Sequence, residues 1–204
     1  MGRTREFDEQ DILERATRWV WRNGLASTSM RDIVATTGLG KASIYNAYGS
    51  REAFFRRMLT YYIEKRQSQS LSLLDNTRSG RGALEDYFQG VLQSPSDESY
   101  MSGCLIINVT TEQSPLDEET RAILDLGMKM IRDQLIDAMQ RGIRDGSINS
   151  QIKPEKTVPC LIATILGLYV MKRQGICQHQ LQDMINASLD ALGPDKPRLQ
   201  EAVA

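Results

Sequence analysis

Five residues between positions 41 and 46 carry the chemistry that this chain offers most plainly. Lys41, Ala42, Ser43, Tyr45 and Asn46 surround a single aliphatic residue, Ile44. Lysine supplies a cation for phosphate, and serine and asparagine bond to base edges or phosphate oxygens. Alanine offers a methyl for thymine contact, and tyrosine a hydroxyl for backbone oxygens. Asn46 is the best candidate for direct base reading, because a carboxamide pairs with adenine in a bidentate way. With Ile44 turned inward, the other five fall on the exposed surface of a short helix of the size a DNA major groove accepts.

The flanking sequence predicts the elements that hold such a helix. Ser29 is a good N-cap, and Asp32, three residues on, completes an approximate capping box and places negative charge in the first turn. Met30, Ile33 and Val34 form an apolar face, Ala35 permits close approach, and Gly38 ends the helix. Leu39, apolar within a polar turn, is expected in the core. The second helix covers about 41–47, with Gly49 breaking it and Ser50 capping the next. Arg51 in that first turn opposes the helix dipole, which makes better sense with a phosphate across it. A preceding helix over about 8–23 ends at Gly24. Its apolar face is Ile12, Leu13, Ala16, Trp19 and Val20, with Trp21 in the same small core or at its rim. A following helix from Arg51 to about Ser70 buries Phe54, Phe55, Met58, Leu59 and Tyr62. Two short helices around a glycine turn are the grammar of a helix-turn-helix.

These residues resemble the DNA-binding domain of the TetR family of transcriptional regulators over about residues 8–60. The resemblance is carried by the first helix with its NG and T lead-in, by TSMRDI, by the segment ending GKASIY and by YGSREAFF. Gly40 stands where the family often has a serine cap. Asn46-Ala47 replaces a more usual pair of histidine or aromatic residues, which suggests a different operator. The resemblance implies that Thr28, Ser29, Arg31, Tyr45, Tyr48 and Arg51 hold phosphates and that Lys41, Ala42, Ser43 and Asn46 lie in or along the major groove. Arg3 and Arg5 could reach the backbone or a minor groove. It also implies that the helix from Arg51 links reader to body and carries a switch by tilting.

Net charge is only −1, but its distribution is uneven. Residues 1–66 hold 12 Lys and Arg against 8 Asp and Glu, and residues 67–204 hold 13 against 18. A basic module joined to an acidic remainder suits local phosphate binding. Three widely spaced cysteines, 104, 160 and 177, argue against a disulfide scaffold and for a reducing, cytoplasmic setting. The start of the chain lacks the apolar core of a signal peptide. The longest apolar stretch, Val158 to Met171, is shorter than the roughly 20 residues a membrane span needs, so no membrane partner is expected.

Beyond the reader the pattern predicts a loop from Asn76 to Gly82, freed by Gly80 and Gly82. Helices follow at about 82–93, 103–113, 117–145, 154–174 and 178–192. With no alternating strand pattern, the fold class is all-α. The expected division is a three-helix reader over 1–50, a connecting helix over 51–70 and a larger effector-binding and dimerisation domain over 71–204. Leu161, Ile162, Ile165, Leu168 and Tyr169 make the penultimate helix apolar nearly all round, as in a helix buried on more than one side. They are the expected homodimer interface, with burial inside the monomer as the alternative. In the family the last two helices form a four-helix bundle across a twofold axis. Dimerisation also suits two half-sites about 34–36 Å apart.

The resemblance implies a small-molecule effector pocket in the body. Candidate lining residues are Tyr87, Phe88, Val91, Cys104, Ile107, Asn108, Thr111, Met128 and Ile131. Cys104 has a second reading. It sits near a helix start, where a thiol can be activated, and its GCL segment resembles a subgroup that senses electrophiles or oxidants. The leading expectation is a repressor released from a palindromic operator by a small molecule. The alternatives are thiol sensing through Cys104 and, in another class, a helical adaptor that binds protein and not DNA. An enzyme is not expected: the chain has a single histidine, no glycine-rich phosphate loop and no nucleophile elbow. Cys177 and His179 lack the further ligands that zinc needs, so neither metal nor other cofactor is expected.

Overall fold

A computed structural model describes residues 8–74, 79–93, 103–112 and 115–194. Among these residues there are nine helices and no strand: α1 (Glu9–Asn23), α2 (Met30–Thr37), α3 (Lys41–Tyr48), α4 (Arg51–Leu74), α5 (Gly80–Gln93), α6 (Leu105–Thr111), α7 (Glu118–Arg144), α8 (Pro154–Arg173) and α9 (Gln178–Asp190). The all-α expectation holds. Arg3 and Arg5 lie outside the described residues.

The helix ends follow from local capping. Asp8 accepts the Gln10 and Asp11 amides at the start of α1, and Gly24 ends it at φ 85°. The expected capping box is present: Asp32 N–H donates to Ser29 Oγ at 3.3 Å and Ser29 N–H to Asp32 Oδ2 at 2.9 Å. Gly38 closes α2 in the left-handed conformation, φ 72°, which only glycine adopts without cost.

The described residues pack as two compact units. The first takes residues up to 69 together with 103–112 and 115–130; the second takes 70–74, 79–93 and 131–194. Packing therefore groups α6 and the start of α7 with the reader helices, a grouping that chain order alone does not show. The first unit buries Leu13, Ile33, Ile44, Phe54, Met58, Leu59, Leu105 and Val109 completely. Each such side chain contributes roughly 1.5–3 kcal/mol by leaving water. Leu39, expected in this core, is only half-buried.

In the second unit Leu84, Phe88, Leu135, Met139 and Ile148 are sealed from solvent. Arg81 ties α5 to α9, donating to the Leu189 carbonyl at 2.8 Å and to Asp190 at 2.9 Å. The loop expected through Gly82 is corrected here: α5 already begins at Gly80, with the Gly82 amide on Ser79 Oγ at 3.1 Å. Gly80 and Gly82 are buried, and a Cβ on Gly80 would meet the α7 backbone, so close packing and not freedom explains Gly80. Positions 76–78 of that expected loop lie outside the described residues.

Candidate nucleic-acid interface

Lys41, Ala42, Ser43 and Asn46 are all exposed, and Ile44, wholly buried, anchors α3 beneath them. Tyr45 is half-buried, with the Lys41 ammonium 5.7 Å from its ring centre. Arg31 and Ser29 are exposed at the start of α2. No Asp or Glu occurs from residue 33 to 51, so the whole α3 segment is free of carboxylates that would repel phosphate.

The cations divide by place. On α1 and α4, Arg15 pairs with Asp11 at 2.8 Å, Arg18 with Glu14 at 3.2 Å, Lys65 with Glu14 at 2.7 Å and Arg56 with Glu119 at 3.0 Å. Among the described residues Arg31 and Lys41 make no ion pair. Those two remain available to an external anion.

Three residues expected at phosphates also have internal roles. Thr28 is 2% exposed, and its hydroxyl donates to the Gly24 carbonyl at 2.6 Å. A part-buried turn carbonyl is best satisfied by a donor, and Thr28 supplies it. Arg51 Nη2 donates to the Thr28 carbonyl at 2.8 Å, and its guanidinium lies 4.7 Å from the Phe55 ring centre. Its unfavourable place at a helix start is offset by these contacts. Tyr48 packs edge-on against Phe54 and donates to Glu9 Oε1 at 3.3 Å.

The expected effector residues are divided between the units. Cys104, Ile107, Asn108, Thr111 and Met128 belong to the first; Tyr87, Phe88, Val91 and Ile131 belong to the second. Phe88 and Val91 are core, and Thr111 is exposed with its hydroxyl on the Ile107 and Asn108 carbonyls. A cavity of about 280 Å³ in the first unit is lined by Thr110, Glu112, Leu116, Arg121, Leu124 and Asp125, none of them among the nine expected. Glu112 escaped sequence reading altogether. Its carboxylate accepts the Leu25 and Ala26 amides, and no local pattern signals a bond across 86 residues.

Four of the five expected dimer residues follow the alternative reading, burial inside the monomer. Leu161, Ile165, Leu168 and Tyr169 are buried within the second unit, and only Ile162 is half-exposed. The apolar positions that α8 turns to solvent are Pro159, Ala163 and Val170, with Leu166 and Gly167 half-exposed between them. Among the described residues no helix is long and apolar enough to cross a membrane, and no group of three His, Cys, Asp or Glu is placed to hold a metal ion.

Two family models match. Residues 12–58 fit the bacterial regulatory proteins of the tetR family, and residues 80–187 fit the tetracyclin repressor-like C-terminal domain, more than half of the chain. The chain belongs to the TetR family. As a member of that family it is a helix-turn-helix, DNA-binding regulator of transcription, and the family is one of regulators, not enzymes. The regulator is 26% identical over 193 residues to the uncharacterized HTH-type transcriptional regulator YezE of Bacillus subtilis, covering 94% of this chain and 100% of that one. It is 25% identical to the HTH-type transcriptional repressor ComR of Escherichia coli, covering 92% and 90%. Its fold matches a cysteine-substituted form of the TetR family regulator CifR, solved with 26-bp operator DNA. The TM-score is 0.83 at 23% identity, covering 93% of this chain and 99% of that one.

Proposed function

We propose that this TetR-family protein is a cytoplasmic, dimeric repressor that binds a palindromic operator and releases it on binding a small molecule. The observation that carries the reading is the exposed, carboxylate-free surface of Lys41, Ala42, Ser43 and Asn46, with Arg31 uncommitted beside it. Residues 1–50 act as the reader, α4 connects, and residues 71–204 bind the effector and dimerise. The repressors ComR, DhaR and NemR among its relatives support the sign of regulation. The outward apolar stripe of α8 supports pairing there. Release follows population shift: the effector must bind the DNA-incompetent arrangement more tightly than the competent one.

The test is selection of bound duplexes from a random library, with affinity then measured against salt. A palindromic site whose affinity falls by orders of magnitude as salt rises is expected. Absent or salt-insensitive binding overturns the reading in favour of a protein-binding adaptor.

A second reading has one observation in its favour. Cys104 is only half-buried at the start of α6, and the Tyr62 hydroxyl stands 3.8 Å from its sulfur. A soft electrophile would form a C–S bond to this sulfur, the thiol proton passing to solvent and the acceptor taking a proton in turn. With Cys160 and Cys177, both exposed, replaced by serine, N-ethylmaleimide should release the operator only while Cys104 is present. Equal release from the additional Cys104→Ser variant excludes it.

A further inference from the structure

The turn joining α1 to α2 is held by a residue from outside the reader's own helices. Glu112, which ends α6, accepts the Leu25 amide through Oε1 at 2.8 Å and the Ala26 amide through Oε2 at 2.6 Å. A carboxylate on two successive backbone N–H groups makes charge-assisted bonds, roughly twice as strong as neutral ones. Gly24 gives it room: a Cβ there would stand 3.2 Å from Oε1. On the carbonyl side Arg51 holds the Thr28 oxygen at 2.8 Å and reaches the Leu25 oxygen at 3.5 Å. The turn is thus gripped on its donor face by α6 and on its acceptor face by α4.

The α6 end of this grip is itself fixed. Leu105, Ile106 and Val109 are buried, and the Leu105 amide donates to the Tyr62 hydroxyl at 3.2 Å. A shift of α6 would therefore be transmitted to the reader through Glu112, 86 residues away in sequence.

We infer that Glu112 is a positioning residue that holds the reader in its DNA-competent orientation, an inference that rests on the DNA-binding reading above. Glu112 makes no use of the exposed α3 surface. It acts by population: a reader released from its pin occupies the competent orientation for only part of the time, and apparent affinity falls by that fraction.

The experiment compares the full-length wild type with Glu112→Gln on the selected operator, over a range of salt, alongside hydrogen exchange at residues 25 and 26. Glutamine keeps the size but turns an NH2 donor toward one of the two N–H groups. The expected result is faster exchange at both amides, an operator affinity lower by about tenfold and an unchanged salt slope, because no phosphate contact is lost. Glu112→Ala, which deletes both acceptors, should lose at least as much. Unchanged or increased affinity in Glu112→Gln, with wild type bound, overturns the inference and leaves the DNA-binding reading intact. So does weaker binding without faster exchange, since the effect then arises from charge alone. Failure of the wild type to bind any duplex overturns both.

Discussion

Gly80 of α5 rests directly on the backbone of Gly142 in α7. A Cβ built on Gly80 would stand 2.5 Å from the Gly142 Cα and would also fall on the Ala138 carbonyl oxygen. The contact is locked by the Gly80 amide, which donates to Asp145 Oδ2 at 2.7 Å. Gly142 is backed in turn by Ile148, 2% exposed. Because backbone cannot yield as a flexible side chain does, Gly80→Ala should destabilise by about 3 kcal/mol or more. Gly146 has φ 78° but open space around it, so Gly146→Ala should cost only about 1 kcal/mol through backbone strain. Thermal unfolding of the two variants checks this; a larger loss at Gly146 would show that packing at Gly80 is not the constraint.

Lys41 and Asn46 share the exposed surface of α3 but should fail differently. Lys41→Ala removes a cation that makes no ion pair among the described residues, only a contact with the Tyr45 ring. It should weaken binding to all sequences alike and reduce the salt slope by about 1. Asn46→Ala should leave the slope alone and relax preference at one base pair, costing about 1–3 kcal/mol there. Binding curves against salt, on the selected operator and on single-base variants, separate the two. A uniform loss from Asn46→Ala would remove it from base reading.

The helix limits were legible because their signals are local. Asp8 and Gly24 bracket α1, Ser29 with Asp32 starts α2, and Gly38 and Gly49 end α2 and α3, each within one turn of the chain. What failed were positions whose meaning depends on a distant neighbour. Gly80 reads as a loop residue until α7 is seen beneath it, although Ser79 was a usable cap signal. The resemblance assigns Thr28 and Arg51 to phosphates, and only the fold shows that both also serve turn carbonyls. The apolar residues of α8 reveal that it is buried but not by what. Helical period cannot distinguish a neighbour in the same chain from one in a second copy.

Glu14 gives the acid sensitivity of the first unit a definite source. Burial alone would raise its carboxyl, but Lys65 Nζ at 2.7 Å, Arg18 and the Tyr61 hydroxyl outweigh this and hold it below its ordinary 4.5. A depressed folded value means the unfolded chain takes up its proton first. The stabilisation is therefore full above about pH 4.5 and is lost as pH falls through the lower folded value. Glu14→Gln should be less stable than wild type at pH 7, and the two should converge in acid. Urea unfolding at steps from pH 7 to pH 3 tests this, and parallel curves would mean that Glu14 contributes no pH dependence.

Val170 and Leu161 lie on the same helix and separate assembly from folding. Val170 is 56% exposed, whereas Leu161 is 2% exposed within the second unit. If the outward stripe through Ala163 and Val170 is the contact between copies, Val170→Asp buries an unpaired charge in the dimer and none in the monomer. The variant should sediment as a monomer with an unchanged helical spectrum and bind a palindrome far more weakly than wild type, since two half-sites no longer act together. Leu161→Ala should leave a cavity and cost about 2–5 kcal/mol of folding stability. It should remain dimeric where folded. A Val170→Asp variant that stays dimeric moves the interface away from this face of α8, and dissociation by Leu161→Ala without loss of stability would restore the inner apolar residues as contacts between copies.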